Sequence, residues 1–149
     1  MSHSSEHAAL FTAPDSRQIG VDLEINRPRD VLKLARFGFH EDEVRALESA
    51  APESRQALFY TLWTLKESFA KALQLELVDA LRQCVFWKDG EAWHGRVPAS
   101  APWGAVVFQP RPDVFLAVAW TGASTTVPLD LWEWPPKQRG DWPVVAALR

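Results

Sequence analysis

Cysteine is almost absent from this sequence, since Cys84 is the only one among 149 residues. A single cysteine excludes a disulfide within the chain, and with it a small disulfide-stabilised secreted scaffold. No run of about 20 apolar residues is present, which excludes a conventional membrane-spanning helix. The first residues, MSHSSEH, hold neither a basic segment nor an apolar one, so no export signal is predicted. These absences predict a cytoplasmic protein.

The chain also lacks a strong charge of one sign. Its 16 basic and 19 acidic residues give a net charge of −3, which offers no electrostatic reason to expect nucleic acid as a partner. A hydrophobic content of 47% and a charged content of 23% are ordinary for a soluble globular protein. The length suits one compact domain. We therefore expect a folded domain whose partners are neither nucleic acid nor membrane.

The first half of the sequence predicts one clear strand followed by three helices. Residues 18–24 alternate between apolar and small or acidic side chains, which is typical of a strand. Asp30 is a suitable N-cap for a helix over residues 31–36, and a second helix is predicted over residues 40–49. The third and longest helix is predicted to start after the dipeptide at residues 51–52 and to run to about residue 73. Its apolar positions recur every three or four residues and mark a face turned to the core: Leu58, Leu62, Leu65, Phe69 and Leu73.

The second half predicts antiparallel strands. Four alternating or β-branched segments carry this pattern, namely residues 84–87, 92–97, 103–109 and 114–120. From about Gly122 the chain is rich in proline and tryptophan, and irregular structure is predicted there. It is too aromatic for disorder, so we expect it to pack on the domain or on a second chain.

Three carboxylates and two lysines are the candidate chemical groups. The sequence G-V-D-L-E at residues 20–24 places Asp22 and Glu24 on the same face of a strand. The sequence W-T-L-K-E-S-F-A-K at residues 63–71 places Glu67 on a helix, one turn before Lys71. Mg²⁺ prefers carboxylate oxygens and often leaves several positions to water and phosphate. The set is therefore chemically adequate for a magnesium and phosphate site.

Each of these residues also has an ordinary interpretation as a solvated surface charge. The pattern D-x-E is common, and acids at strand ends are usually exposed. Lys66 and Lys71 could be exposed helix lysines, with Glu67 and Lys71 forming a surface pair worth about 0.3–0.5 kcal/mol. On spacing alone, the ordinary interpretation is favoured.

Two further groups have similar alternatives. His3 could be an exposed residue of a mobile terminus. A local basic cluster indicates a solvated face, or a surface that steers an acidic protein partner; it consists of Arg27, Arg29, Lys33 and Arg36.

Taken in order, these motifs resemble the paired signature of the 4′-phosphopantetheinyl transferases, in particular their long, surfactin-synthetase-activating class. The family patterns are roughly (I/V)-G-(I/V)-D-x-E and W-(S/T)-x-K-E-(A/S)-x-x-K. S-H-S at residues 2–4 resembles an element that precedes the first pattern in the family, and F-G-F-H-E-D-E at residues 37–43 resembles its R-F-F-x-x-x-E stretch. The resemblance extends from residue 2 to about residue 120.

The resemblance implies an α+β fold in which a long helix packs on an antiparallel sheet. Residues 1–121 would form one half of the transferase fold, and residues 122–149 a proline- and tryptophan-rich extension. Long-class proteins consist of two similar halves with coenzyme A between them, and this chain resembles the second half. The short class completes its sites by forming trimers, so an active form of this chain is expected to be a homo-oligomer.

The implied activity is Mg²⁺-dependent transfer of the 4′-phosphopantetheine arm of coenzyme A to a serine of an acyl or peptidyl carrier protein, in fatty-acid, polyketide or nonribosomal peptide synthesis. By the resemblance, Asp22, Glu24 and Glu67 would bind the metal. Glu67 would also help to deprotonate the carrier serine.

The resemblance assigns the remaining site residues to coenzyme A. Lys71 would protonate or neutralise the departing phosphate, and Lys66 would be a supporting cation nearby. Ser2 and His3 would contact phosphates of the cofactor.

Two departures from the family keep a second class of function open. The usual K-A-x-G-x-G-L loop is K-A-L-Q-L-E-L here, at residues 71–77, and the first half of the long class has no counterpart in this sequence. The alternative is a non-catalytic, degenerate or truncated relative that binds a carrier protein or a pathway partner. The enzyme is favoured, because a scaffold has no need for three metal ligands together with Lys71.

Overall fold

The computed structural model describes residues 1–5, 7–13, 17–122, 129–130 and 142–148. In these ranges the chain forms, in order, β1 (Ser2–Ser4), β2 (His7–Ala9), β3 (Gln18–Ile25), α1 (Val31–Gly38), α2 (Glu41–Ser49), α3 (Pro52–Leu73), α4 (Leu77–Gln83), β4 (Val85–Asp89), β5 (Ala92–Arg96), β6 (Trp103–Arg111), β7 (Val114–Thr121) and β8 (Val144–Leu148). The predicted α+β class is confirmed, with a long helix on an antiparallel sheet.

The central sheet has four antiparallel strands in the order β3-β7-β6-β8. Strands β3 and β7 pair along their whole length, with Asp22 opposite Ala117 and Glu24 opposite Phe115. Two hairpins, β1–β2 and β4–β5, form separate two-stranded sheets. Because side chains alternate along a strand, Val21 and Leu23 enter an apolar cluster on one face, while Asp22 lies on the other.

Helix α3 packs against β3 and β7 and supplies the middle of the core. Leu62, Leu65 and Phe69, all on its predicted apolar face, are buried. The helix comes unusually close to β3 at Gly20, where a Cβ would lie 1.9 Å from the Ser68 carbonyl oxygen. This close approach places the polar edge of α3 directly beside the two strand carboxylates.

The predicted helix boundaries agree well with the structure, and local capping explains why. The Asp30 side chain accepts a hydrogen bond of 3.0 Å from the backbone N–H of Lys33 and starts α1. His40 and Glu43 form a reciprocal capping box that starts α2. The short elements β1 and α4 were not predicted, since three and seven residues carry little periodic signal. Among the described residues, no helix has the length and apolar character needed to cross a membrane.

Strand β8 corrects the prediction of irregular structure after residue 122. It pairs with β6, with Ala147 opposite Val106, and it buries Ala146 and Leu148 in the main core. The β8 sequence V-V-A-A-L has no alternation of apolar and polar residues, so its strand structure depends on pairing with the edge of β6. The other predicted irregular residues fall outside the described ranges, apart from residues 122, 129–130 and 142–143. The division at residue 121 stays a prediction.

Candidate functional site

Asp22 is the centre of a buried polar cluster between β3, α3 and β1. Its Oδ1 lies 2.7 Å from Lys71 Nζ and accepts a hydrogen bond of 3.0 Å from Ser2 Oγ. Lys71 Nζ also donates to Ser2 Oγ at 3.1 Å, and the Leu23 backbone N–H donates to the same hydroxyl at 3.2 Å. The structure therefore brings together Ser2, Asp22 and Lys71, three of the residues predicted from the motifs.

The second oxygen of Asp22 receives neither the Ser2 hydroxyl nor the Lys71 ammonium. Oδ2 is buried without such a donor among the described residues, and a side-chain hydrogen bond between the Glu67 carboxyl and Asp22 is the smallest of the causes that raise the pKa of Glu67. Leaving a buried acceptor without a partner costs about 1–3 kcal/mol, and more when the group is charged. An oxygen kept in this state has the chemistry of a cation ligand.

Glu67 and Glu24 lie close enough to Asp22 for their charges to interact. Glu67 Oε2 is 3.9 Å from Lys71 Nζ, one helical turn away. Burial, followed by the charge of Asp22, raises the pKa of Glu67 to about 7. The same two causes, in the same order, raise the pKa of Glu24, which also accepts a hydrogen bond from the Trp63 side chain. The three carboxylates thus repel one another, with Lys71 as a nearby counter-charge.

The donor set fits Mg²⁺ by its chemistry, because it offers three carboxylates and an unpaired oxygen. A divalent cation would also offset burial and the charge of Asp22, which raise the two glutamate pKa values. Across the described ranges, however, no three acidic, histidine or cysteine side chains gather closely enough to form a ready-made cation site. Metal binding by Asp22, Glu24 and Glu67 therefore stays a prediction.

Lys66 is not part of this cluster, and the structure corrects its predicted place. Its side chain is 0% exposed, and its Nζ lies 2.7 Å from Glu43 Oε2. It also donates to the carbonyl oxygens of Leu81, at 2.7 Å, and Cys84. Five residues of α-helix correspond to about 140° of rotation, so Lys66 and Lys71 project in different directions. Lys66 is neither a surface lysine nor a cation beside the cofactor residues.

Glu43 is the partner that sequence reasoning did not assign. Its Oε1 accepts a hydrogen bond of 2.9 Å from the Phe86 backbone N–H, and its Oε2 accepts one from His40. Burial raises the pKa of Glu43 and lowers the pKa of Lys66. The final glutamate of the F-G-F-H-E-D-E stretch was the available signal for this pair.

The two residues of the S-H-S element predicted to bind cofactor phosphates lie in different environments. Ser2 is 7% exposed and faces Asp22, whereas His3 is exposed on β1, opposite Ala8. A cavity of about 150 Å³ opens beside the cluster; it is lined by Met1, Phe11, Ile19, Gly20, Val21 and Lys71. The four residues of the basic cluster are exposed, as the solvated interpretation predicted.

Carboxylates beside a lysine have the chemistry that binds phosphate together with a divalent cation. The family model described as the 4′-phosphopantetheinyl transferase superfamily matches residues 18–121. The chain therefore belongs to the 4′-phosphopantetheinyl transferase superfamily. The matched range contains Asp22, Glu24, Glu67 and Lys71.

Curated relatives support the same assignment. The chain is 41% identical over 73 residues to the 4′-phosphopantetheinyl transferase HetI of Nostoc sp., a match that covers 48% of this chain and 30% of HetI. It is 38% identical over 73 residues to the 4′-phosphopantetheinyl transferase gsp of Aneurinibacillus migulanus, covering 49% of this chain and 30% of gsp. It is 38% identical over 72 residues to the 4′-phosphopantetheinyl transferase AcpT of Salmonella typhimurium, covering 48% of this chain and 37% of AcpT. The chain spans 30–37% of the length of these relatives.

Proposed function

We propose that this chain carries the metal and acid–base part of a site that transfers 4′-phosphopantetheine from coenzyme A to a serine of an acyl or peptidyl carrier protein. The observation that carries the proposal is the convergence of Asp22, Glu67 and Lys71 from two separate motifs. It is supported by family membership over residues 18–121 and by the similarity to relatives that are named as 4′-phosphopantetheinyl transferases. A cytoplasmic location, where the single cysteine stays reduced, fits this role.

Asp22, Glu24 and Glu67 are the residues proposed to hold Mg²⁺. When bound, the ion supplies charge neutralisation for the pyrophosphate group. The unpaired Oδ2 of Asp22 and the mutual repulsion of the carboxylates support this assignment.

Glu67 is the proposed base. It takes the proton from the carrier serine, directly or through a water molecule, as the serine oxygen forms its bond to the β-phosphorus of coenzyme A. The bond between that phosphorus and the bridging oxygen breaks, and 3′,5′-ADP leaves.

Lys71 is the proposed acid and counter-charge for the leaving phosphate. Its ammonium is half-exposed beside the cavity, so it can reach a bound anion while it neutralises Asp22. Phosphoryl-type transfer depends mainly on positioning and on charge neutralisation, which a lysine provides without further chemistry. His3, exposed on β1, is the remaining proposed contact to cofactor phosphates.

The nucleotide end of coenzyme A needs basic residues, and among the described residues Lys71 is the basic side chain in hydrogen-bond contact with the cluster. We propose that a second copy of the chain, or a preceding half joined to it, supplies them. The exposed basic cluster on and before α1 is available to an acidic carrier protein.

The test is transfer itself. Purified protein is incubated with Mg²⁺, coenzyme A and several carrier proteins, and the carrier mass is measured. Wild type should add the phosphopantetheine arm and Glu67→Ala should not, while Glu53→Ala, which removes an exposed glutamate from the same helix, should behave as wild type. If wild type and Glu67→Ala are equally inactive but both bind a carrier, the non-catalytic binding module replaces the enzyme.

A further inference from the structure

We propose that Ser2 is a positioning residue that holds the Asp22 carboxylate in the one orientation that leaves an oxygen free for a divalent cation. The inference rests on the proposed function, because it concerns the metal that Asp22 is proposed to bind. It gives Ser2 a role different from the cofactor-phosphate contact that the family resemblance implies.

The hydrogen-bonding capacity of Ser2 is already used within the protein. A serine hydroxyl has one donor and two acceptor positions. The donor goes to Asp22 Oδ1 at 3.0 Å. The two acceptor positions take the Lys71 ammonium at 3.1 Å and the Leu23 backbone N–H at 3.2 Å. Because the Ser2 side chain is buried and its one donor and two acceptor positions are occupied, its hydroxyl cannot also hydrogen-bond to a phosphate oxygen.

The consequence falls on the orientation of Asp22. Oδ1 receives both the Ser2 hydroxyl and the Lys71 ammonium, whereas Oδ2 is buried and receives neither of them. Lys71 alone could pair with either oxygen, because an ammonium is a point charge on a flexible stem. The Ser2 hydroxyl itself accepts a hydrogen bond from the backbone N–H of Leu23, which lies on β3 next to Asp22. It therefore fixes which carboxylate oxygen is occupied and which stays free.

Hydrogen-bond partners of metal ligands usually change metal affinity by 10- to 100-fold when they are removed. We therefore expect Ser2→Ala to weaken binding of Mn²⁺, an EPR-visible substitute for Mg²⁺, by about tenfold. Ser2→Cys, which has nearly the same shape but is a weak donor, should show a similar loss. Ser2→Thr keeps the hydroxyl and should bind within about twofold of wild type. Ser4→Ala, on the same face of β1, is the matched control and should bind as wild type.

The experiment titrates purified full-length protein with Mn²⁺ alone and measures the free ion by EPR, with circular dichroism to check folding. Ser2→Cys carries the test if Ser2→Ala does not fold. Wild-type affinity in the Ser2→Cys variant, or equal losses in Ser2→Thr and Ser2→Cys, would overturn the inference while leaving the metal site intact. If Asp22→Ala binds Mn²⁺ as tightly as wild type, the metal assignment fails, and the role of Ser2 fails with it.

Discussion

At the scale of single residues, Gln74 shows what a change in a family motif does to the backbone. It ends α3 in the left-handed conformation, with φ 55° and ψ 39°, at the position of the first glycine in K-A-x-G-x-G-L. Glu76, at the second glycine, has an ordinary extended conformation with φ −62°. The chain thus follows a glycine-type path at residue 74 without the glycine. The departure is a local strain and not a change of fold.

Replacing Gln74 by glycine should therefore stabilise the protein. The left-handed conformation costs a non-glycine residue about 1–2 kcal/mol, and glycine avoids this cost. Part of the resulting stabilisation is lost, because glycine has a larger conformational entropy in the unfolded state. We expect Gln74→Gly to raise the free energy of unfolding by about 1 kcal/mol. Glu76→Gly is the matched control and should give no gain. Urea denaturation measures both, and equal effects would exclude relief of backbone strain.

The raised pKa of Glu67 predicts that the stability of the folded protein depends on pH. The carboxyl has a pKa of about 7 in the folded protein, against an ordinary value of 4.5. Between these values the folded state binds more protons than the unfolded state, so stability falls as pH rises, and the full penalty is present above pH 7.

Glu67→Gln should remove this penalty. In metal-free protein with a chelator present, the variant should be more stable than wild type by about 1–2 kcal/mol at pH 8, after allowance for solvent screening. The gain should shrink as pH falls toward 4.5. Urea denaturation at several pH values checks this. A difference that does not change with pH would show that the carboxyl is not perturbed.

At the scale of elements, the contact between β3 and α3 decides whether the site exists. Gly20→Ala would place its Cβ 1.9 Å from the Ser68 carbonyl oxygen and 2.7 Å from the Ala72 nitrogen. Both are backbone atoms, so the helix and strand must separate. We expect the free energy of unfolding to fall by about 3 kcal/mol. The proposed transfer activity should be lost as well, because Glu67 and Lys71 move away from Asp22. Gly90→Ala meets no atom within 4 Å and should cost only about 1 kcal/mol of backbone strain.

The buried Lys66–Glu43 pair joins α3 to α2, and Lys66 also donates to the carbonyl oxygens of Leu81, in α4, and of Cys84, between α4 and β4. Lys66→Met leaves the Glu43 carboxylate buried without its cation, which should cost about 3–5 kcal/mol. In the double variant Lys66→Met with Glu43→Gln, the glutamine oxygen still accepts from the Phe86 N–H. We expect it to recover much of the loss. If urea denaturation gives additive costs instead, the pair is not coupled.

The sequence predicted the elements well where periodicity was long. The 22-residue helix α3 and the strands around it were found from their patterns. Within α3, helical spacing predicted that Glu67 and Lys71 are neighbours on one face, and the family resemblance linked them to Asp22. The burial of Lys66 could not be predicted in this way, because it depends on where α2 and α4 pack and not on the helix itself.

At the scale of the whole molecule, β8 tests where the folded unit ends. Truncation after Thr121 follows the boundary predicted from the sequence, but it removes the strand that covers the β6 edge and buries Ala146 and Leu148. Burying one leucine contributes about 2–3 kcal/mol, and an open apolar strand edge promotes aggregation. We expect the truncated chain to melt at a lower temperature and to aggregate in size-exclusion chromatography. A stable, monodisperse 1–121 chain would support the boundary at residue 121.

In the candidate site, too, the contacts between elements could not be predicted from the sequence. Residue types and spacing alone favoured solvated charges, and it was the ordered resemblance to a family that predicted Asp22, Glu67 and Lys71 as one group. The hydrogen bond from Ser2 to Asp22 could not be predicted, since it depends on strand β1 placing the Ser2 hydroxyl beside that carboxylate. Nor could the burial of Asp22 Oδ2, because it depends on how β1, β3 and α3 pack together.

Met1 lies on the rim of the cavity beside Lys71, which has a consequence for anything attached to this end of the chain. A polypeptide joined before Met1 would leave from the mouth of the proposed site. A preceding domain would then be tethered there at an effective concentration in the millimolar range, as short linkers produce. Weak contacts between such a domain and this chain would then be enough to cover the cavity. An affinity tag attached before Met1 would compete for the same cavity.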